Sequence, residues 1–324
     1  MTRHFRAWIP RAWIPWGGWP RGRWPRGGSP QGGCCPPAPT GRPASFVLGF
    51  LVVLAAQGVT PSEASGQWVN APGAGWADLT VYAQDTRQTY QFDGVKRPIF
   101  ADGRARTVSA FFTASVGLLR GLDGWVQLPF HRLQFEDAAD LRESTGFGDP
   151  RLYLRIDPTL LGGAAIPVAL RGGVKLDGGD FDVDAEVIPL GEGQRDWELM
   201  VEVGRSFHPR PLWAAGWVGH RWREDNQEAA RNPGNEWFWL ANVGGSVGIL
   251  HWQVGAEGIR GDPWIIQGIR LRSARREVLQ VSPSLGTDLG AGQLRVGTRT
   301  TLEGRNLPAG TAVFAGYFRG FSFR

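Results

Sequence analysis

Charged residues that recur at every second position of several apolar segments are the side chains best placed to do chemistry in this sequence. Alternate residues of an extended segment point to opposite faces, so the charges share one face and the aliphatic residues share the other. Opposed charges around a water-filled space would orient water and select polar solutes. Alternatively, they pair with one another and only fill a narrow interior, which is the simpler structural role. The lumen-lining candidates are Arg151, Arg155, Arg171, Lys175, Glu198, Glu202, Glu257, Arg295 and Arg299.

No catalytic constellation stands out from the spacing of residues. The histidines beyond the N-terminal region are scattered at His131, His208, His220 and His251. We therefore expect no enzymatic activity and no cofactor. A lipid hydrolase with a Ser–His pair on an outer rim is a third possibility, because spacing along the chain does not reveal such a pair.

One acidic run superficially resembles a calcium loop. Asp180, Asp182 and Asp184 alternate as in an EF-hand, but Ala185 and Gly191 stand where that loop needs Gly and Glu. We expect no metal site.

From Trp76 onward, the sequence alternates with period two, which predicts strands whose two faces meet different surroundings. Most candidate segments have 10 to 15 residues, whereas strands of soluble sheets have about five or six. A strand that crosses a membrane needs roughly nine to eleven. The twelve candidates are residues 76–85, 105–119, 125–136, 149–158, 165–176, 195–207, 211–223, 236–248, 249–261, 278–288, 292–302 and 311–323.

Connections between these segments alternate loosely between short turns and longer polar stretches, as in outer-membrane barrels. In hydrocarbon, a sheet must close on itself to pair every backbone N–H and C=O. We therefore predict an all-β fold, a closed antiparallel up-and-down transmembrane β-barrel of about 12 strands with its apolar face outward. A soluble β-sandwich or lipocalin-like barrel, which buries that face, is the alternative. The longer stretches are residues 137–148, 177–194, 224–235 and 262–277.

Aromatic residues cluster toward the ends of these segments, where an interfacial girdle is expected. At the C-terminus, the pattern of Tyr317, Phe321 and Phe323 resembles that of the last strand of outer-membrane proteins. The barrel-insertion machinery recognises that strand. An ordinary edge strand is the alternative. The girdle candidates are Trp76, Trp125, Trp197, Trp237, Trp239, Phe318, Phe321 and Phe323.

Composition and charge exclude two classes of protein. The longest apolar run, residues 46–56, has 11 residues, and a spanning helix needs about 20, so a helical membrane bundle is excluded. The formal net charge of +5 arises in residues 1–64, which hold seven arginines and one acid. The remainder is almost neutral, so it lacks the basic face that a nucleic-acid-binding domain requires.

The N-terminal region predicts export. Residues 1–41 are an Arg/Trp/Pro/Gly-rich leader of low complexity. This composition indicates a disordered segment or a mis-assigned start. Residues 42–64 have the basic, apolar and small-residue parts of a secretory signal. Residues 65–324 would form the barrel. They contain no cysteine, as suits passage through an oxidising periplasm.

Four segments carry a resemblance to a known family: TGFGD at 145–149, GGVKLDGGD at 172–180, IPLGEGQRDW at 188–197 and VGRSF at 203–207. They resemble the motifs of outer-membrane transporters grouped as MetA-pathway-of-phenol-degradation-like proteins. The resemblance implies a β-barrel that passes hydrophobic or aromatic compounds.

We therefore predict a protein of the bacterial outer membrane, reached through the periplasm, that lets small, hydrophobic or aromatic solutes pass. Its expected partners are outer-membrane lipid, lipopolysaccharide, the barrel-insertion machinery and the solute, and no nucleic acid. The alternative is a non-conducting barrel whose loops bind envelope lipid or surface partners.

Overall fold

The computed structural model describes residues 69–158, 168–183 and 187–323. The predicted leader and signal, residues 1–64, lie outside the described residues, as does Asp184 of the acidic run. No helix in the described part is long and apolar enough to cross a membrane. Its strands are β1 (Ala74–Thr86), β2 (Gln88–Tyr90), β3 (Lys96–Pro98), β4 (Arg104–Leu119), β5 (Leu122–Glu136), β6 (Leu141–Phe147), β7 (Arg151–Ile156), β8 (Val168–Lys175), β9 (Asp196–Ser206), β10 (Leu212–Arg223), β11 (Arg231–Asn232), β12 (Glu236–Val247), β13 (Leu250–Gly261), β14 (Trp264–Ile266), β15 (Ile269–Leu271), β16 (Glu277–Leu289), β17 (Gly292–Arg305), β18 (Leu307–Ala309) and β19 (Thr311–Ser322).

The long strands form one closed antiparallel sheet. Each pairs with the next long strand along the chain, and β19 pairs with β1, with Val81 opposite Ala315, so the sheet closes on itself. β6 and β7 both pair with β5, one on each half of it, and together act as a single split strand. The predicted all-β fold, a closed antiparallel barrel of twelve strands, is confirmed.

The two faces of the barrel differ in the way that the period-two pattern predicts. On β9, Leu199 and Val201 are 49% and 42% exposed, whereas Glu198, Met200 and Glu202 between them are buried. The aliphatic side chains therefore form the outer face, and the charged ones form the inner face.

The ends of the barrel are unlike each other. At the turn end, connections such as residues 120–121, 248–249 and 290–291 are very short, and Gly121, Gly248 and Gly290 adopt positive φ there. At the loop end, the connections are longer and contain two small sheets, β2–β3–β18 and β11–β14–β15. These small sheets cover the rim of the loop end.

The prediction that residues 137–148 form a loop is wrong. β6 continues the wall there, pairing Leu141 with Glu136 and Phe147 with Phe130. The residues of β6 between Leu141 and Phe147 are polar or small, and Pro150 follows the strand. Proline cannot donate to a strand ladder, so the pairing breaks between β6 and β7 and the segment resembles a loop in sequence.

The predicted aromatic girdle is wrong for three of its eight residues. Trp197 and Trp237 point outward and are more than half exposed. Trp76, Trp125 and Phe318 instead point inward, with the ring centroids of Trp76 and Trp125 4.8 Å apart and those of Trp76 and Phe318 5.7 Å apart. Trp76 and Trp125 alternate in step with inward polar neighbours, and Phe318 alternates in step with the inward Phe314, so face parity outweighs position near a strand end.

Candidate functional site: the interior of the barrel

All nine candidate residues lie on the inner face. Several form ion pairs between strands that are not neighbours, which the concave side of a barrel permits: Arg155 of β7 reaches Glu202 of β9, and Arg299 of β17 reaches Glu257 of β13. The structure brings five of them together in a buried network on one side of the barrel interior: Arg155, Arg171, Lys175, Glu198 and Glu202. The other four, Arg151, Glu257, Arg295 and Arg299, lie apart from that network and are only half-buried.

The part of the buried network nearest the turn end centres on two arginines. Arg155 pairs with Asp123 at 2.5 Å and with Glu202 at 3.4 Å, and Arg171 pairs with Glu202 at 2.7 Å. The Arg171 guanidinium also lies 4.5 Å from the centroid of the Trp125 ring. Each charge is neutralised where it is desolvated, which is the condition for burying it.

The part nearest the loop end centres on Lys175, whose side chain is 1% exposed. Its Nζ lies 2.9 Å from Asp149, 2.9 Å from Glu192 and 3.3 Å from Asp196. Arg223 adds a second cation, 2.7 Å from Glu192 and 3.4 Å from Asp196.

Arg221 and Tyr153 together join the two parts, because Glu236 also pairs with Arg223 and the Tyr153 ring lies 5.1 Å from the Arg171 guanidinium. Arg221 pairs with Glu198 and Glu236, each at 2.7 Å, and Glu198 also accepts a hydrogen bond of 2.8 Å from the Tyr153 hydroxyl. We call this network the packed wall; it comprises Asp123, Asp149, Arg155, Arg171, Lys175, Glu192, Asp196, Glu198, Glu202, Arg221, Arg223 and Glu236.

The described parts of the β8–β9 connection, residues 176–183 and 187–195, dock onto the packed wall through Asp149. The Asp149 carboxylate accepts hydrogen bonds from the backbone N–H groups of Gly179 (3.1 Å) and Glu192 (2.9 Å). A Cβ at Gly191 would overlap Asp149 Oδ1, so a larger residue does not fit there without a shift. Three of the four segments that carry the family resemblance, 145–149, 172–180 and 188–197, therefore meet at one cluster.

Glu192 is the loop residue that couples this connection to the wall. Burial alone would raise its pKa, but Arg223, Lys175 and Arg276 together outweigh burial and hold the pKa of Glu192 well below its ordinary value. The carboxylate is therefore charged throughout the neutral range.

Sequence reasoning missed seven of the twelve residues of the packed wall. Asp196 shares the inward parity of Glu198 and Glu202 on β9, and Arg221 and Arg223 share one face of β10, so extending the alternation would have found them. Asp149 precedes β7 with the inward parity of Arg151 and Arg155, so alternation over residues 149–158 would have found it too. Glu192 lies in a loop, where parity gives no signal. The missed residues are Asp123, Asp149, Glu192, Asp196, Arg221, Arg223 and Glu236.

The opposite side of the interior, which we call the open wall (Asp78, Tyr82, Glu257, Arg295 and Arg299), is reached by water. The side chains of Arg295, Arg299 and Glu257 are 32%, 31% and 27% exposed although they point inward. Arg299 lies 3.2 Å from Glu257 and donates a 3.0 Å hydrogen bond to the Tyr82 hydroxyl. Arg295 lies 3.9 Å from Asp78 and donates to Gln253 at 3.3 Å.

Aromatic rings lie beside these arginines. The Tyr82 ring is 5.2 Å from Phe314 and 5.8 Å from Phe111, centroid to centroid. Arg299 lies 4.4 Å from the Tyr82 centroid and Arg295 lies 5.8 Å from that of Phe314. We call Tyr82, Phe111 and Phe314 the aromatic shelf.

Arg151 stands at the border of the two walls. Its guanidinium donates to Gln127 at 3.4 Å, and Gln127 in turn donates to Thr113 at 3.3 Å. Among the described residues, no carboxylate lies within 4.0 Å of Arg151, and its Nε is without a partner.

Comparisons with known proteins agree with this architecture. No protein-family model matches the sequence, and no curated protein matches it either. Among solved structures, an outer membrane channel from Pseudomonas putida F1 has a TM-score of 0.63 at 16% identity, over 82% of this chain and 100% of that one. At this identity the likeness establishes the barrel fold alone.

Two further barrels are more distant. The translocator domain of the autotransporter NalP from Neisseria meningitidis has a TM-score of 0.45 at 10% identity, over 86% of this chain and 96% of that one. The toluene transporter TodX from P. putida has a TM-score of 0.41 at 10% identity, over 78% of this chain and 92% of that one.

Within the described residues, two Ser–His pairs occur on the inner face, and neither is evident from spacing along the chain. Ser109 lies 2.8 Å from His131. At the turn end, Ser246 lies 2.8 Å from Nδ1 of His251, whose Nε2 lies 3.2 Å from Asp288. Ser246 is also the centre of a Gly-x-Ser-x-Gly run, residues 244–248, at the end of a strand rather than in the strand-to-helix turn of a nucleophile elbow.

The remaining predicted sites are placed as follows. Tyr317 and Phe321 lie on the outer face of β19 opposite Leu79 and Gly75, and Phe323 follows the strand with its ring 5.1 Å from Phe321. Among the described residues, no group of three His, Cys, Asp or Glu side chains is arranged to hold a metal ion.

Proposed function

We propose that this protein is a channel of the bacterial outer membrane that lets small, hydrophobic or aromatic solutes cross passively. The fold that it shares with an outer membrane channel supports the proposal. So do the resemblance of residues 145–207 to outer-membrane transporters and the predicted export signal.

The outer face supports placement in lipid. It exposes Leu, Val, Phe and Trp side chains on strand after strand, such as Leu154 (52%), Leu285 (55%) and Val313 (57%). Leaving such a side chain in water costs about 1.5–3 kcal/mol each. A band of them around a closed sheet is stable when it meets hydrocarbon.

The observation that carries the transport proposal is the water-reached open wall. A barrel filled only by paired charges would bury every inner side chain as the packed wall does. Arg295, Arg299 and Glu257 instead keep about a third of their surface exposed on the inner side. Solute would pass along this wall, with the packed wall as the rigid side of the passage.

Planar-bilayer recording of the purified, folded protein tests the proposal. We expect stepwise conductance in KCl. Folding of the preparation is checked by its heat-modifiable gel mobility, because a closed barrel resists detergent until it is boiled. A correctly folded barrel that stays silent would contradict transport and would favour a non-conducting barrel whose loops bind envelope lipid or surface partners.

A hydrolase is the second candidate, favoured by the Ser246–His251–Asp288 chain of hydrogen bonds. His251 could act as the general base that removes the Ser246 proton while Asp288 orients the ring. Turnover of a phospholipid or a short-chain ester, abolished in Ser246→Ala but kept in Ser109→Ala, would support this candidate. Equal turnover in both variants would remove it.

We also infer that the barrel-insertion machinery recognises the end of β19, and that outer-membrane lipid and lipopolysaccharide surround the outer face. Phe323 is 73% exposed at the end of β19, with its ring 5.1 Å from that of Phe321. Replacing both with Ser should lower the amount of heat-modifiable protein in the outer membrane of expressing cells. An unchanged amount would contradict recognition at this site.

A further inference from the structure

The two walls of the interior differ in charge balance. In the packed wall, each buried cation lies within 3.4 Å of at least one carboxylate. Along the open wall and its border, three guanidinium groups, those of Arg151, Arg295 and Arg299, face two carboxylates, those of Asp78 and Glu257. The excess of positive charge therefore lies beside the aromatic shelf, whereas a third carboxylate on this side, Asp288, lies at the turn end, 3.2 Å from His251.

Arg295 is the cation with most capacity for a new partner. Its contact to Asp78 is 3.9 Å, too long for a strong hydrogen bond, and Asp78 already accepts a 2.6 Å hydrogen bond from the Thr80 hydroxyl. The other polar contact of Arg295 is to a neutral amide, Gln253, at 3.3 Å. Arg299, in contrast, is held by Glu257 and by the Tyr82 hydroxyl.

Arg151 adds a second lightly held guanidinium, since the amide oxygen of Gln127 at 3.4 Å is its hydrogen-bond acceptor. Between the strands of Arg295 and Arg151 lie those of Phe314, Tyr82 and Phe111. An organic anion on the open wall would therefore meet a guanidinium and an aromatic surface together.

We propose that the lumen selects small aromatic carboxylates, with Arg295 binding the carboxylate and the aromatic shelf contacting the ring. This inference rests on the proposed function, because it assigns a substrate class to the same passage. The planar guanidinium can form two parallel hydrogen bonds to a carboxylate, and Tyr82 and Phe111 offer half-buried ring surface to the rest of the solute. Asp78 and Glu257 repel the anion, so it would be held briefly and released.

Reversal potentials across a bilayer with a KCl gradient test the charge selection. We expect the channel to prefer chloride over potassium, and Arg295→Gln to reduce that preference severalfold. Arg319→Gln is the matched control, because Arg319 is exposed and takes part in neither wall. A conducting channel that prefers potassium would contradict this inference and leave the proposed function standing.

Addition of sodium benzoate to one side tests the aromatic part. Benzoate should interrupt the ion current, and Arg295→Gln should weaken that block about tenfold, as the loss of one charged hydrogen bond implies. Phe111→Leu should also weaken the block, because it removes an aromatic ring from the shelf.

Each remaining outcome has a defined meaning. Acetate that blocks as strongly as benzoate would overturn the aromatic part of the inference. Benzoate block that is equal in wild type and Arg295→Gln would overturn the role of Arg295. A barrel that is folded but silent to all ions would contradict the proposed function and this inference with it.

Discussion

At the scale of single residues, Glu192 ties a loop to the barrel wall through Lys175 and Arg223. Its pKa is depressed in the folded protein, and an unfolded Glu has a pKa of about 4.3. A depressed folded pKa means that the contribution to stability is complete above the unfolded value and is lost as the pH falls through the folded value. The loop should therefore stay attached throughout the neutral range.

Glu192→Gln should consequently lower the free energy of unfolding by about 2 kcal/mol at pH 7, because charged hydrogen bonds are lost. Urea titrations at several pH values check this. The difference between wild type and variant should stay constant from about pH 8 to 5 and shrink at pH values well below 4. Glu303→Gln, on an exposed side chain, serves as the control. A difference that grows on acidification would contradict the assignment.

Residue identities on the inner face were predictable where they lie on strands. Arg155, Glu198 and Glu202 follow from alternation alone. Glu192 was not predictable, because its position depends on how a loop folds back over Lys175, and no periodicity describes that.

At the scale of elements, two adjacent glycines of β8 have different requirements. Gly173 faces inward beneath Tyr153, and a Cβ there would overlap the Tyr153 ring and the Leu152 carbonyl oxygen. Gly172 faces outward, where a Cβ would meet its nearest atoms at an ordinary 3.9 Å. The inward glycine therefore leaves room for the Tyr153 ring, which lies over Gly173 where β7 and β8 pair.

Gly173→Ala should destabilise the barrel by roughly 1–3 kcal/mol, the usual cost of overpacking, whereas Gly172→Ala should change stability little. The measurement is the temperature at which each variant loses its fast-migrating, folded band on a gel. Equal loss in both variants would show that strand propensity, and not the Tyr153 contact, decides the effect.

The strands themselves were largely predictable. Each of the twelve predicted segments begins and ends within three residues of a strand of the barrel, because apolar and polar residues alternate along them. The sheets β2–β3–β18 and β11–β14–β15 were not predictable, since strands of two or three residues carry no measurable period.

At the scale of the whole molecule, closure and the orientation of the faces follow from strand number and alternation. The division of the interior into a packed wall and an open wall does not. It depends on register, which decides that Arg155 can reach Glu202 while Arg295 only approaches Asp78. The proposed selectivity would thus be a property of the assembled barrel and not of any single strand.

The central claim is that the aliphatic face meets lipid and the charged face meets water. Spin labels on single cysteines of β13 test it, in a chain whose two cysteines, Cys34 and Cys35, are replaced by Ser. Labels at Val254 and Ala256 report the outer face, and labels at Gln253 and Glu257 report the inner face.

In lipid vesicles, the account predicts that labels at 254 and 256 collide with oxygen and are shielded from a water-soluble nickel chelate. Labels at 253 and 257 should show the reverse. If the labels at 254 and 256 were instead shielded from both reagents, or reached by nickel, the aliphatic face would lie in a protein core or in water, and the membrane channel would be contradicted.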